Sequence, residues 1–123
     1  MQTRQHIVWK VRTVKTYPEA RNHLLVGRVL ERDAACVSLL CRTFHFGRLV
    51  RRVRDITVGP LGRRIIPWGR IEVINELPGG LDFEQAVVRL DKAGSLVLSD
   101  GAGTCVLVSA KDRAEATLEG PDT

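Results

Sequence analysis

The fold is decided by residues 24–46, which read LLVGRVLERDAACVSLLCRTFHF. Two runs rich in Val, Leu, Phe and Cys flank the polar step RDA at 32–34, a composition typical of two strands joined by a tight turn. The second run is apolar at both alternating sets of positions as far as Cys41. Because side chains alternate between the faces of a strand, we expect a central strand that is covered on both faces.

Two flanking segments extend this pair. Residues 7–14 alternate between apolar and polar side chains, which predicts a half-buried strand. The sequence TYPE at 16–19 has the form of a capping box with proline in the first turn, so a short helix is predicted over residues 18–23. On the other side, short strands at 64–66 and 71–74 flank PWGR at 67–70. That tetrapeptide predicts a tight corner, because proline cannot donate to a strand ladder.

The sequence LPGG at 77–80 is the clearest boundary in the chain. After it, three short apolar runs are separated by KAG at 92–94 and GAG at 101–103, which predicts a three-stranded meander over residues 78–110. Residues 1–77 then form the first unit, and the charged segment 111–123 is expected to be a flexible tail.

The hairpin also carries a family motif. A glycine is followed by an apolar residue two positions on, aspartate six on, a further apolar residue nine on and leucine thirteen on. These positions are Gly27, Val29, Asp33, Cys36 and Leu40. The pattern resembles the first motif of the Sm-like family of small SH3-type β-barrels, and the resemblance covers residues 16–76.

The resemblance implies a small barrel, assembly of copies into a ring, and RNA as a ligand. Two positions depart from the family pattern. Val37 stands where the family has an RNA-contacting asparagine, and Trp68-Gly69 stands where the family has Arg-Gly. The predicted fold class is therefore all-β with one short N-terminal helix: an Sm-like, SH3-type small barrel with an added C-terminal meander.

Charge is unevenly distributed along the chain. Residues 1–75 carry 15 Lys and Arg against 5 Asp and Glu, whereas residues 76–123 carry 4 against 9. This polarity indicates an acidic partner for the first part, such as RNA or the acidic part of another copy. A solvated basic face with no ligand is the alternative.

Arginine dominates the basic residues, and its planar guanidinium suits phosphate. If residues 48–54 are a strand, Arg48, Arg52 and Arg54 share one face and Arg51 points away. The candidate nucleic-acid contacts are Arg48, Arg51, Arg52, Arg54, Arg63, Arg64, Trp68 and Arg70. Phe44 and Phe46 are expected to be core residues instead.

Other chemistries find little support in the sequence. Cys36, Cys41 and His45 do not share one strand face, so no metal site is predicted. No nucleophile, carboxylate pair or phosphate loop has a recognisable setting, so neither an enzyme nor a cofactor is expected. The first residues lack the apolar run of a secretory signal, and no segment is long enough to span a bilayer. We therefore expect a cytoplasmic protein with no membrane partner.

The sequence predicts a non-catalytic module that binds RNA or a ribonucleoprotein through its arginines and forms a homo-oligomer. The alternative is a structural protein that self-associates and has no nucleic-acid ligand. No small-molecule substrate is identified.

Overall fold

The computed structural model describes residues 7–16, 20–77 and 81–113, and in this part of the chain nine strands form two antiparallel sheets. The first sheet contains β1 (Val8–Thr13), β2 (Asn22–Arg32), β3 (Cys36–Phe46), β4 (Thr57–Val58), β5 (Gly62–Pro67) and β6 (Ile71–Leu77). The second contains β7 (Val87–Leu90), β8 (Leu96–Ser99) and β9 (Thr104–Val108). The predicted all-β class is confirmed.

The first sheet has the strand order β4-β3-β2-β1-β6, and β5 also pairs with β3. β5 pairs with residues 36–41 of β3 and β4 with Phe44 and His45, so the two short strands share one edge of β3. A 3-10 helix (Trp68–Arg70) joins β5 to β6 and forms the predicted corner. No ladder joins β5 to β6 in the described ranges, so the predicted barrel is not closed.

The turn between β2 and β3 is held by Asp33. Its carboxylate accepts hydrogen bonds from the backbone N–H groups of Ala35 (2.7 Å) and Cys36 (2.9 Å). Its own N–H donates to the carbonyl of Cys36 at 3.0 Å. The two backbone bonds lower the pKa of the Asp33 carboxyl below its usual value, because they stabilise the charged form. The predicted hairpin is thus confirmed.

Gly27 lies opposite Cys41 in this hairpin, where the two backbones come unusually close. A Cβ atom at Gly27 would stand 2.1 Å from the carbonyl oxygen of Leu40 and 2.4 Å from the Cβ of Cys41. Both atoms are fixed by the backbone of β3, so they cannot move aside without distorting the strand. Only glycine fits at this position.

One face of the first sheet forms its own core. We call it the interior cluster: Trp9, Val11, Leu25, Val37, Leu39, Cys41 and Ile66, with Trp68, Ile71 and Ile74 packed against it. Ile66 comes from β5 and Ile74 from β6, which lie at opposite ends of the strand order. Strands so far apart reach one cluster only because the sheet curls around it.

The opposite face packs on the second sheet. Phe44 and Phe46 of β3 meet Leu96 and Leu98 of β8 in what we call the intersheet cluster. Its other buried members are Val8, Leu24, Val26, Val50, Ile56, Leu81, Phe83, Ala86, Cys105, Leu107 and Val108. The two clusters explain why β3 is apolar at both alternating sets of positions, as the sequence predicts.

Two long basic side chains also link the sheets. Lys10 Nζ donates to the carbonyl of Val106 at 2.8 Å. Arg42 Nη1 donates to the carbonyls of Phe83 (3.0 Å) and Ala86 (2.5 Å). Their apolar stems run along the sheet while their charged ends satisfy backbone carbonyls of the second sheet and its leading segment.

The predicted meander turns are confirmed in the second sheet. Gly94 and Gly101 have φ values of 93° and 95°, in the left-handed region that glycine adopts most readily. Asp100 accepts hydrogen bonds from the N–H groups of Asp82 (2.7 Å), Ala102 (2.8 Å) and Gly103 (2.6 Å). These bonds lower the pKa of the Asp100 carboxyl to about 2.

The predicted short helix over residues 18–23 is wrong where the structure describes it. β2 already begins at Asn22, and Asn22 and His23 pair with Phe46 and His45. Pairing with the full length of β3 satisfies these backbone groups better than an isolated helical turn. Residues 17–19, the boundary at 78–80 and the tail beyond residue 113 lie outside the described residues.

The close approach at Gly27 yields a stability prediction. Gly27→Ala should lower the free energy of unfolding by at least about 2 kcal/mol, because the new methyl group overlaps the backbone of β3. The measurement is urea unfolding followed by tryptophan fluorescence. Gly62→Ala is the matched control, since no atom lies within 4 Å of a Cβ built there. Equal stability of the two variants would show that the strands separate easily at Gly27.

Candidate functional site

The structure divides the predicted nucleic-acid residues among four places. Arg63, Arg64 and Arg70 line one groove. Arg51, Arg52 and Arg54 lie on an exposed loop that connects β3 to β4. Arg48 lines a separate cleft, and Trp68 is part of the corner between β5 and β6. The set does not form one continuous track.

The loop does not have the strand conformation on which the predicted arginine face depends. Residues 47–52 are irregular and are followed by a 3-10 helix (Val53–Asp55). Asp55 Oδ2 accepts hydrogen bonds from the N–H groups of Arg51 (2.8 Å) and Arg52 (2.9 Å). This carboxylate therefore places a negative charge at the centre of the arginine loop, and the predicted alternation of faces is wrong here.

The cleft beside Arg48 lies between the two sheets and has a volume of about 230 Å³. Arg12, Asn22, Asp112 and Arg113 also line it. Arg113 belongs to a helical turn at residues 110–113, and its Nη2 donates to the carbonyl of Arg51 at 2.5 Å. The cleft is thus lined by both positively and negatively charged side chains. The hydrogen bond from Arg113 links the arginine loop to the helical turn at 110–113.

Trp68 is anchored to the β2–β3 turn. Its indole N–H donates to the carbonyl of Asp33 at 2.7 Å, and its backbone N–H donates to Ala35 at 3.2 Å. Its ring lies 6.4 Å from that of Trp9, at an interplanar angle of 54°. These contacts give Trp68 a structural role at the corner of the sheet, with only part of its ring exposed.

The groove with Arg63, Arg64 and Arg70 is the strongest candidate site. It has a volume of about 390 Å³ and opens beside β5, on the side of the sheet that no ladder closes. Its walls are Thr13, His23, Leu25, Arg63, Arg64, Ile65, Ile66, Pro67 and Arg70. None of these residues is acidic, and three are arginines.

Strand pairing explains how Arg64 reaches the interior of the groove. Arg64 lies opposite Leu39, and Ile66 lies opposite Val37. Directly paired residues project to the same face of a sheet, and Leu39 and Val37 both belong to the interior cluster. Arg64 therefore lies on the same curled face, at its open end beyond the apolar side chains of the interior cluster.

Two histidines lie together at the groove, and His23 is the one that lines its wall. His23 and His45 are paired between β2 and β3, and their rings stack with centroids 4.2 Å apart and an interplanar angle of 9°. Thr13 Oγ1 lies 3.3 Å from His23 Nδ1. Burial, followed by the charges of His45 and Arg64, lowers the pKa of His23 to about 4. Burial is also the main reason that the pKa of His45 is lowered.

Arg64 brings a charge into this partly buried end without an acidic partner in the groove. Its Nε atom is buried and has no hydrogen-bond partner among the described residues. Its charge partly offsets the burial that raises the pKa of the Cys41 thiol to about 11. Arg63 differs, since it forms an ion pair with Glu31 at 3.0 Å on the exposed surface. The arrangement can bind an anion through Arg64 and neighbouring polar groups.

Other chemistry has no matching geometry in the described ranges. No three His, Cys, Asp or Glu side chains come together there as metal ligands would. The thiols of Cys36, Cys41 and Cys105 all have pKa values raised mainly by burial, opposite to the shift of an activated nucleophile. A search of the same residues finds no helix with the length and hydrophobicity to cross a bilayer.

Comparisons with protein-family models, with curated proteins and with solved structures return no match to this chain.

Sequence reasoning identified the arginines of the groove but missed Thr13 and His23. One signal was available: Thr43 and His45 interrupt the apolar pattern of β3 on one face. Because β2 pairs with β3, its residues opposite that polar end lie at the same site.

The anchoring of Trp68 can be tested directly. Trp68→Phe should lower the free energy of unfolding by about 1 kcal/mol, because the hydrogen bond to Asp33 is lost while most ring packing remains. Chemical denaturation measures the change. Wild-type stability combined with a loss of oligonucleotide affinity would contradict this interpretation and make Trp68 a ligand contact.

Proposed function

We propose that this chain is a non-catalytic binding module that holds the phosphate backbone of RNA in the groove beside β5. The observation that carries the proposal is the lining itself: Arg63, Arg64 and Arg70 meet there without an acidic side chain. Arginine presents several N–H donors in a plane, which matches the oxygens of a phosphate. Affinity in such a site comes from the backbone charge of the ligand.

The surroundings of the arginines suit a single-stranded polymer. Ile65 is 65% exposed at the groove, and Pro67 lies beside it. These apolar surfaces offer contact to a base or sugar while the arginines hold the phosphate. The arginine loop at 51–54 would extend the basic surface as a secondary contact that Asp55 partly neutralises.

The finer fold assignment belongs to the same proposal. β5, a 3-10 helix and β6 follow one another, and β6 pairs with β1, so the chain order and pairing are those expected of an open SH3-type barrel. Gly27 stands at a close approach of two strands and Asp33 holds the turn, and these two positions of the motif support the assignment. We propose an Sm-like barrel whose outer face is covered by the meander.

The proposal predicts which arginines matter. Replacing Arg63, Arg64 and Arg70 together with Gln should weaken binding of a single-stranded oligonucleotide at least about tenfold. The slope of log affinity against log salt should become shallower by about 2, since three phosphate contacts are removed. Fluorescence anisotropy with a labelled RNA over a salt series measures both quantities.

The matched control replaces Arg51, Arg52 and Arg54 with Gln, which removes the same charge from the arginine loop. Its affinity should fall less, and its salt slope should stay closer to that of the unmodified protein. Equal losses in both variants would mean that net charge and not the groove determines binding. No RNA binding by the unmodified protein at low salt, with a discrete oligomer in light scattering, would instead favour the self-associating alternative.

A further inference from the structure

His23 occupies an unusual place in the groove. It is the one histidine of the described residues that lines the groove wall, it stacks on the ring of His45, and it feels the charge of Arg64. The inference drawn from it rests on the proposed function, because it concerns how the same groove responds when a phosphate enters.

Burial and the charges of His45 and Arg64 lower the pKa of His23, and the elements around the groove carry the following polar and titratable groups. β1 contributes the Thr13 hydroxyl, and β3 contributes His45 and the buried Cys41 thiol. β5 and the corner after it contribute cations only: Arg63, Arg64 and Arg70. Glu31 forms an ion pair with Arg63 on the outer surface.

Without a ligand, these surroundings keep His23 neutral. The imidazolium would be partly removed from water and would face the positive charge of Arg64 with no carboxylate in the groove lining. Thr13 Oγ1 can accept a hydrogen bond from a protonated Nδ1 or donate one to an unprotonated Nδ1, so this contact allows either form of the ring.

We propose that binding of a phosphate beside Arg64 drives protonation of His23, so that the groove holds a phosphate backbone more tightly at mildly acidic pH than at neutral pH. A bound phosphate offsets the charge of Arg64 and adds a negative charge next to the ring. Both effects favour the imidazolium, which then adds a charge-assisted hydrogen bond to the phosphate.

The direction of the pH dependence follows from linkage. The pKa of His23 is about 4 in the free protein, and the ligand raises it. Between the free and bound pKa values, one proton is taken up for each phosphate bound, so affinity increases as pH falls, by at most about tenfold per pH unit. Above the bound pKa, His23 is neutral in both states and the dependence disappears.

The test uses a labelled uridine oligonucleotide of about 12 residues with a 5′-hydroxyl end. Its phosphodiesters and bases do not titrate in the range tested, so a pH effect arises in the protein. Anisotropy at about pH 5.5 and about pH 7.5, at constant ionic strength, should show affinity about three- to tenfold higher at the lower pH. His23→Gln should abolish this difference, whereas His45→Gln, the matched control, should retain it.

A second measurement needs no variant that alters the fold. Titration of the histidine Cε1 protons by NMR, with and without the oligonucleotide, should show the His23 pKa rising when ligand is bound. An unchanged His23 pKa in a complex that does form, or equal affinity at the two pH values, would overturn the coupling and leave the proposed function standing. Absence of oligonucleotide binding at both pH values would overturn both.

Discussion

The contact between β2 and β3 at Gly27 is the constraint on which the rest of the structure depends. The backbone of β3 occupies the space that a side chain at Gly27 would need, so the two strands can approach this closely only with glycine at that position. With Asp33 holding the turn, this contact fixes which residues of β3 project to each face. The interior cluster forms on one face and the intersheet cluster on the other, and both draw on β3.

The interior face is not uniformly apolar. Its buried part consists of Leu, Val, Ile, Cys and Trp side chains, but its open end carries Arg64, His23 and Thr13. A partly buried arginine with an unsatisfied Nε destabilises a small protein, because this polar atom has lost its hydrogen bonds to water without gaining a partner in the protein. This conflict between local chemistry and packing is typical of a binding site.

Much of the fold could be predicted from the sequence. Two apolar runs on either side of a polar step identified the hairpin, Pro67 marked the corner, and Gly94 and Gly101 marked the meander turns. The groove could not be predicted, because it depends on register. A bulge between Val29 and Glu31 shifts the pairing of β2 by one residue.

That shift decides which side chains face each other. With the bulge, His23 lies opposite His45; a shift of one residue would move every side chain of β2 relative to β3. The residue types around Leu30 give no sign that β2 carries one unpaired residue there. The prediction of a helix was wrong because the capping pattern at 16–19 reports only local preference. Pairing of β2 with the long strand β3 is a tertiary interaction, and it determines the conformation from Asn22 onward.

The pairing of β1 with β6 carries a consequence for how the chain is made. Val8 lies opposite Leu77, so β1 gains this neighbour only after the rest of the first sheet has been synthesised. Until then one edge of β1 is an open template for other strands, and the interior cluster lacks Ile71 and Ile74. A nascent chain of this protein is therefore most vulnerable to aggregation in the interval before β6 emerges.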